Sequence, residues 1–336
     1  MALHPWQADV WRSVVKRHRA AGLPHALLVS GAGGIGKHDL CLNIARWLLC
    51  QNSQQAGVDD ACGQCHSCQL WAAGTHPDFM ICQPEENSRQ IRIDNVRRVN
   101  ELIFQTPQIS RCQVVIMRPA EVMNTNAANA LLKTLEEPPG ESFILLETER
   151  FGSVLPTIRS RCQRISLALP AAEDSMAWLQ SQGVSGADAT RALQRNGGAP
   201  LKAKRWMSEG VAARQETWTE QLLLWSRHQL TLSQVADKWT KLEFQEVIEW
   251  FYAISCDLMK ATIGAGAEHL QFAEAITDLQ ANVAVDLQKL VGFQEKLQNI
   301  LGQLLSGMSH HNKTLTIEVL LLEWQELAGV RAGVNA

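Results

Sequence analysis

The sequence lacks a basic excess. Its 336 residues carry 31 Lys+Arg against 34 Asp+Glu, a formal net charge of -3, and its pI is about 6.4. A protein that grips nucleic acid alone carries a marked positive balance, so any contact with DNA is expected to be shared with partner chains. No stretch reaches the ~18 apolar residues of a membrane span. The start, Met1–Trp6, has no basic segment followed by an apolar core, so no signal peptide is expected. Repeats and low-complexity tracts are absent as well. The pattern of a disulfide framework is also missing. Of nine cysteines, five (Cys41, Cys82, Cys112, Cys162, Cys256) are scattered through apolar stretches and read as small buried hydrophobes. A reducing, cytoplasmic compartment and one metal cluster fit that usage better. What is present is ordinary globular composition, 46% hydrophobic and 19% charged. The length accommodates two or three domains.

The first half alternates strand and helix signals. Strands are expected at Ala26–Ser30, Asp78–Cys82, Gln113–Met117, Ser142–Leu146 and Gln163–Leu167. Helices are expected at Lys37–Leu49, Asp94–Phe104 and Asn126–Glu137. Continuous apolar strands separated by helices predict an α/β domain with a parallel five-stranded sheet covered on both faces. After Pro170 the strand signals stop. Short helices at Ala171–Gln182, Ala187–Gln194 and Leu201–Met207 suggest a small helical domain, and the chain beyond Val211 reads as helix throughout. Leu290, Phe293, Leu297, Ile300, Leu301 and Leu304 recur at helical spacing; Leu315, Val319, Leu322 and Trp324 do so less strictly. Outside residue 6, the tryptophans are spread along expected helices or their ends, as core and interface anchors rather than one aromatic site. The division is 1–168, 169–208 and 209–336.

Gly31-Ala-Gly-Gly-Ile-Gly-Lys37 follows the first strand and opens a helix, the placement a phosphate loop requires. Gly31, Gly33, Gly34 and Gly36 let backbone N–H groups converge on phosphate oxygens, and Lys37 would reach the β- and γ-phosphates. The next residue should carry the hydroxyl that ligates Mg²⁺, but it is His38. Imidazole matches a hard, oxygen-preferring ion poorly. The third strand should deliver an acid toward that ion. It ends instead in Arg118-Pro119, with Glu121 three residues on, beyond the turn. Two defects point the same way: no Mg²⁺ site and no hydrolysis are expected. Binding of ATP through the glycine loop stays open.

Cys50, Cys62, Cys65 and Cys68 form C-x11-C-x2-C-x2-C within an insert at about 50–68. Four thiolates suit a closed, structural, tetrahedral Zn²⁺ site. An iron–sulfur run would need its next ligand at Ala72, and no proline follows. Free thiols are the bland alternative. His66 and His76 read as solvated neighbours rather than ligands.

Three further segments become specific together: Asn126–Pro139 with its Leu-Leu-Lys-Thr-Leu-Glu-Glu-Pro-Pro end, Phe143–Thr148, and Leu155-Pro-Thr-Ile-Arg-Ser-Arg-Cys162. Their succession resembles the clamp-loader branch of the AAA+ family. The likeness covers about residues 20–205 strongly and the C-terminal helices weakly, where Asn312-Lys-Thr-Leu315 is similar to the family's last helix. That resemblance implies a phosphate-loop domain, a small helical lid domain and a helical collar. It implies a non-hydrolysing subunit of a hetero-pentamer that loads a sliding clamp on primed DNA. Its partners would be ATPase subunits and a clamp-opening subunit. In the family the arginine of Ser-Arg-Cys reaches ATP on the neighbouring subunit; here that is Arg161, flanked by Ser160 and Cys162. Composition alone does not choose between Arg159 and Arg161, and a solvated salt bridge is the plain alternative for both. Thr148 matches the family's first sensor position, and Lys202 lies near its second. Two rival readings remain: an autonomous ATPase with unusual Mg²⁺ ligation, and a zinc-stapled module that binds DNA directly.

Overall fold

Residues 3–53, 59–85, 88–184, 186–306 and 312–330 are described by the computed structural model. The chain divides into two compact units, Met1–Lys204 and Arg205–Ala336. Five strands of the first unit, β1 (Ala26–Ser30), β2 (Phe79–Cys82), β3 (Gln113–Met117), β4 (Ser142–Thr148) and β5 (Gln163–Ser166), form one sheet in the order β2-β3-β4-β1-β5. All four pairings are parallel.

Side chains alternate across a strand, and here both faces are apolar. Leu27, Val29, Val114 and Ile116 face a layer that includes Trp11 and Val14 of α1 (Ala8–Ala21) and Leu40 and Ile44 of α2 (Lys37–Leu49). Ala26, Leu28, Val115 and Met117 join Val96 and Val99 of α4 (Ile93–Ile103) and Leu131 of α5 (Thr125–Glu136) on the other face. Between the layers in sequence lies α3 (His66–Ala72), at the end of the cysteine-bearing insert; residues 54–58 of that insert lie outside the described residues. Asn124 caps α5 by accepting the Ala127 N–H at 2.8 Å. The short α6 (Pro156–Arg159) sits between β4 and β5, and α7 (Ala172–Ser181), α8 (Gly186–Arg195) and α9 (Pro200–Ser208) follow the last strand.

Asp78 is not part of β2. Its buried carboxylate accepts the backbone N–H groups of Gln108, Ile109 and Ser110 at 2.6, 2.9 and 2.7 Å. A carboxylate with three such donors organises the loop before β3 rather than extending a strand.

The second unit holds α10 (Val211–Ser226), α11 (Leu232–Trp239), α12 (Phe244–Thr262), α13 (Ala273–Asn282), α14 (Leu287–Ser306) and α15 (Lys313–Leu327). It is not purely helical: β6 (Val283–Val285) pairs antiparallel with β7 (Ala328–Val330). Three-residue strands are too short to show alternation, so the sequence pattern carries no sign of them. Leu290, Phe293, Leu297, Ile300 and Leu304 are buried as their spacing predicts. On α15 the buried face is Ile317, Leu320, Leu321 and Trp324, while Leu315 and Leu322 are 57% and 46% exposed. The run Val319–Leu322 is apolar on both sides of the helix, so two faces fit the same period. Trp218, Trp225, Trp239, Trp250 and Trp324 share one core, as anchors of the second unit. Four of their indole N–H groups donate internally, to Leu321 O, Gln221 Oε1, Thr219 Oγ1 and Ser226 Oγ.

Candidate functional site

The phosphate loop lies at the C-terminal end of β1, which is flanked by β4 and β5. That is where open α/β sheets bind ligands. Gly34 and Gly36 have φ of +76° and +83°, in the left-handed region that disfavours a side chain. The loop is closely packed. A Cβ on Gly34 would lie 2.6 Å from Lys202 Cβ, and the Leu201 N–H donates to Gly34 O at 3.0 Å. Thus α9 begins directly on the loop, and Lys202 meets it through its backbone and Cβ. On another side, Trp6 Nε1 donates to Ile35 O at 2.9 Å and Gln7 Nε2 to Gly36 O at 2.7 Å. His4 stacks on Trp6 and pairs with Asp39 at 3.1 Å. That hydrogen bond, ahead of other influences, holds the Asp39 carboxyl below its ordinary range.

Lys37 is 7% exposed, and its ammonium is turned onto internal acceptors. Nζ donates to Ala32 O at 2.6 Å and lies 3.4 Å from Glu149 Oε1. The same carboxylate leans over the loop, 2.8 Å from where a Cβ on Gly33 would stand. His38 Nδ1 lies 2.7 Å from Glu147 Oε1, whose side chain is 8% exposed. The place of the metal-ligating hydroxyl is therefore taken by an imidazole already bound to a carboxylate. Arg118 follows β3 and its N–H donates to Cys82 O. Glu121 turns inward: its side chain is 3% exposed, and Oε1 accepts the Glu149 N–H at 3.2 Å. Its other oxygen has no partner among the described residues. Thr148 is buried, and its hydroxyl oxygen accepts the Arg150 N–H at 3.1 Å while its carbonyl accepts the Gly31 N–H.

The four cysteines of the insert converge. Their sulfur atoms all lie within 4.8 Å of one another, with Cys50–Cys65 at 3.9 Å and Cys62–Cys68 at 4.0 Å. Four sulfurs each ~2.3 Å from a single zinc ion would sit ~3.8 Å apart, so the spacing fits a tetrahedral ion. Backbone donors already orient two of them: Cys62 N–H to Cys50 Sγ at 3.3 Å and Cys65 N–H to Cys62 Sγ at 3.4 Å. Backbone N–H groups of Gln64 and Cys65 bring the Cys62 thiol down to about 6, while burial pushes Cys50 and Cys68 up. His66 is exposed, as expected, but His76 is not a solvated neighbour. It is 6% exposed and hydrogen-bonded to Ser67 and Ser110.

Ser160, Arg161 and Cys162 occupy the turn between α6 and β5. Arg161 Nε donates to Glu136 Oε1, at the end of α5, at 2.6 Å, and Nη1 donates to Thr157 O at 3.0 Å. The pair is 33% and 48% exposed. Arg159 is spent differently: its guanidinium lies 5.2 Å from the Phe151 ring centroid, and Arg164 covers the same ring at 3.9 Å. Burial pushes the Cys162 thiol up to about 12, so it is no nucleophile.

Residues 6–171 match the family model described as "DNA polymerase III, delta subunit", and residues 209–326 match "DNA polymerase III, delta subunit, C terminal". A Pseudomonas aeruginosa protein named DNA polymerase III subunit delta' is 36% identical over 330 residues, covering 97% of this chain and 98% of its own. The chain belongs to the delta' family of DNA polymerase III subunits. Proteins of the same name from Yersinia pestis and Haemophilus influenzae are 31% and 32% identical, covering 97% and 86% of this chain and 96% and 90% of their own. A solved Thermotoga maritima protein, described as DNA polymerase III gamma subunit-related, aligns with TM-score 0.51 at 18% identity over 96% of this chain and 100% of that one. That likeness concerns the fold alone: the first unit of this delta' family member is an α/β domain whose glycine loop joins the first strand to α2.

Within that fold the predicted residues form three groups. Gly31, Gly33, Gly34, Gly36, Lys37, Thr148 and Lys202 gather at the loop; the four cysteines gather at the end of α2; Arg161 stands apart at the end of α5. Sequence reasoning missed Glu147, Glu149 and the His4–Gln7 segment. The only available signal was position: Glu147 and Glu149 flank Thr148.

Proposed function

We propose that this chain is a non-hydrolysing δ′-type subunit of the DNA polymerase III clamp loader, lending Arg161 to ATP bound by a neighbouring ATPase subunit. The observation that carries it is the His38–Glu147 contact at 2.7 Å. It takes the metal-ligand position, and Arg118-Pro119 stands where the acids of an active enzyme would be. With Lys37 held by Ala32 O and Glu149, the loop supports a structural role more than turnover. No Mg²⁺ site is assigned.

Exposure suits Arg161 to that role. Arg161 is held by a half-exposed ion pair, worth roughly 0–1 kcal/mol, so Glu136 releases it at small cost. A guanidinium then offers fixed donors to the charge that develops on a γ-phosphate. Ser160 and Cys162 set the turn that carries it. Cys50, Cys62, Cys65 and Cys68 would hold a structural Zn²⁺, which supplies a fixed tetrahedral crosslink for the insert. In this reading residues 1–168 are the AAA+ domain, 169–208 its lid and 209–336 the collar. The partners are the ATPase and clamp-opening subunits of a cytoplasmic hetero-pentamer, which meets the sliding clamp and primed DNA as a whole.

The test is reconstitution with the ATPase subunits. Arg161→Ala is expected to lower hydrolysis at the site it completes by about a thousandfold or more, as for arginines supplied in trans elsewhere, with assembly intact. Arg159→Ala serves as comparison and should act through fold stability. Brisk ATP turnover by the isolated chain, or an unchanged rate with Arg161→Ala, defeats the reading.

A further inference from the structure

Beside the cysteine cage lies a buried polar cluster that belongs to none of the sequence motifs. His76 is 6% exposed, Ser67 1% and Asp78 1%. The Asp78 N–H donates to His76 Nδ1 at 3.1 Å. A nitrogen that accepts carries no proton, so the neutral imidazole bears its hydrogen on Nε2. That Nε2–H faces two hydroxyl oxygens, Ser67 Oγ at 2.9 Å and Ser110 Oγ at 3.2 Å. Both hydroxyls in turn donate to one carbonyl, Leu49 O, at 2.7 and 2.8 Å. Each donor and acceptor is satisfied, so the cluster has one self-consistent arrangement of protons.

Its covalent neighbours give the cluster meaning. Leu49 immediately precedes Cys50, at the end of α2. Ser67 immediately precedes Cys68, in the first turn of α3. Ser110 is held by the Asp78 carboxylate, which accepts its N–H at 2.7 Å. The two ligand-bearing segments are thus tied to each other through Leu49 O and Ser67 Oγ. They are tied to the sheet through the His76–Asp78 turn at the start of β2.

We propose that His76 is the positioning residue of the four-thiol cage, fixing Cys50 and Cys68 relative to each other through Ser67, Ser110 and the Leu49 carbonyl. This rests on the reading of Cys50, Cys62, Cys65 and Cys68 as a metal site. The cage is then pre-organised by the protein, and metal affinity depends on a side chain that touches none of the sulfurs. Outer partners of this kind set metal affinity by about 10–100-fold in other sites.

The experiment uses the full chain and two metals. Zn²⁺ affinity is measured by competition with a chromophoric chelator, and Co²⁺ is substituted to report thiolate geometry through its visible absorption. His76→Leu, which keeps bulk and loses both ring nitrogens, should weaken Zn²⁺ binding about 10–100-fold and alter the Co²⁺ bands. His76→Gln, whose amide can still donate to the serines, should recover most of the affinity. Ser67→Ala gives a second reading should His76→Leu fail to fold, with a loss in the same direction. Thr134→Val is the control for general destabilisation. Thr134 is buried and donates to Asn100 Oδ1 at 2.9 Å in α5, away from the cage, so its loss should leave metal affinity unchanged. Unaltered affinity and Co²⁺ spectrum in both His76→Leu and Ser67→Ala overturn the proposal. Failure of the unaltered chain to bind Zn²⁺ or Co²⁺ defeats the metal reading itself, a separate failure.

Discussion

The phosphate loop and the cysteine cage lie at opposite ends of α2, one before Lys37 and one after Leu49, and they treat their polar groups in opposite ways. At the loop, the chain supplies its own partners: Glu149 beside Lys37, Glu147 beside His38, and Trp6 and Gln7 on the carbonyls. At the cage, four sulfur donors converge, and backbone N–H groups meet Cys50 and Cys62, which favours negative charge on those sulfurs. A site satisfied from within has no remaining demand for a ligand. A site with converging donors of one kind does. On the proposed reading, one helix carries a ligand site satisfied from within and a second whose donors converge for an ion.

The sharpest way to break this contrast is Cys65→Ser. A structural Zn²⁺ site is linked to folding by about 10 kcal/mol or more, so the purified variant should contain no zinc and calorimetry should show a transition moved to lower temperature. An unchanged scan with full metal content would remove the cage from the comparison. A milder probe is pH. Burial lowers the affinity of His76 and of His18, which packs on Trp47, for protons. The unfolded chain binds more protons than the native one once pH falls below about 6.5. Stability from both residues is complete above that pH and is lost as pH falls through their folded values. Denaturant midpoints should therefore decline from neutral pH toward pH 5, less so in His76→Gln. Smaller again is Glu149→Ala. Its carboxylate is 57% exposed, and such a pair is worth roughly 0–1 kcal/mol. Freed of it, Lys37 should bind inorganic phosphate or ATP at most about fivefold better, read by calorimetric titration. The smallest effect expected is from His38→Thr. It restores the hydroxyl but leaves Arg118-Pro119, so ATP turnover by the isolated chain should stay at background. Turnover would show that the loop is blocked by one residue rather than saturated by several.

Much of this was readable beforehand, for physical reasons. The sheet strands are apolar on both faces, so Ala26–Ser30 and Gln113–Met117 announce themselves without ambiguity. Lys37 and the four cysteines are separated by short, chemically meaningful intervals. What sequence could not carry was proximity across long separations. Nothing at positions 4–7 says that they close a loop at 35–36, and nothing at Glu149 says that it faces Lys37. His76 looked solvated because it sits in a Gly-Thr-His-Pro turn. Only the fold brings Ser67 and Ser110 around it. On α15 the failure was of a different kind, since an unbroken apolar run supports two helical faces, and only the partner helices choose.

Trp6 and Gln7 bind the carbonyls of Ile35 and Gly36 through side-chain donors on a segment that comes before any strand. Trp6 and Gln7 thus form a clasp on the loop. Loss of either side chain would therefore be felt first at Ile35 and Gly36, nearly thirty residues away along the chain.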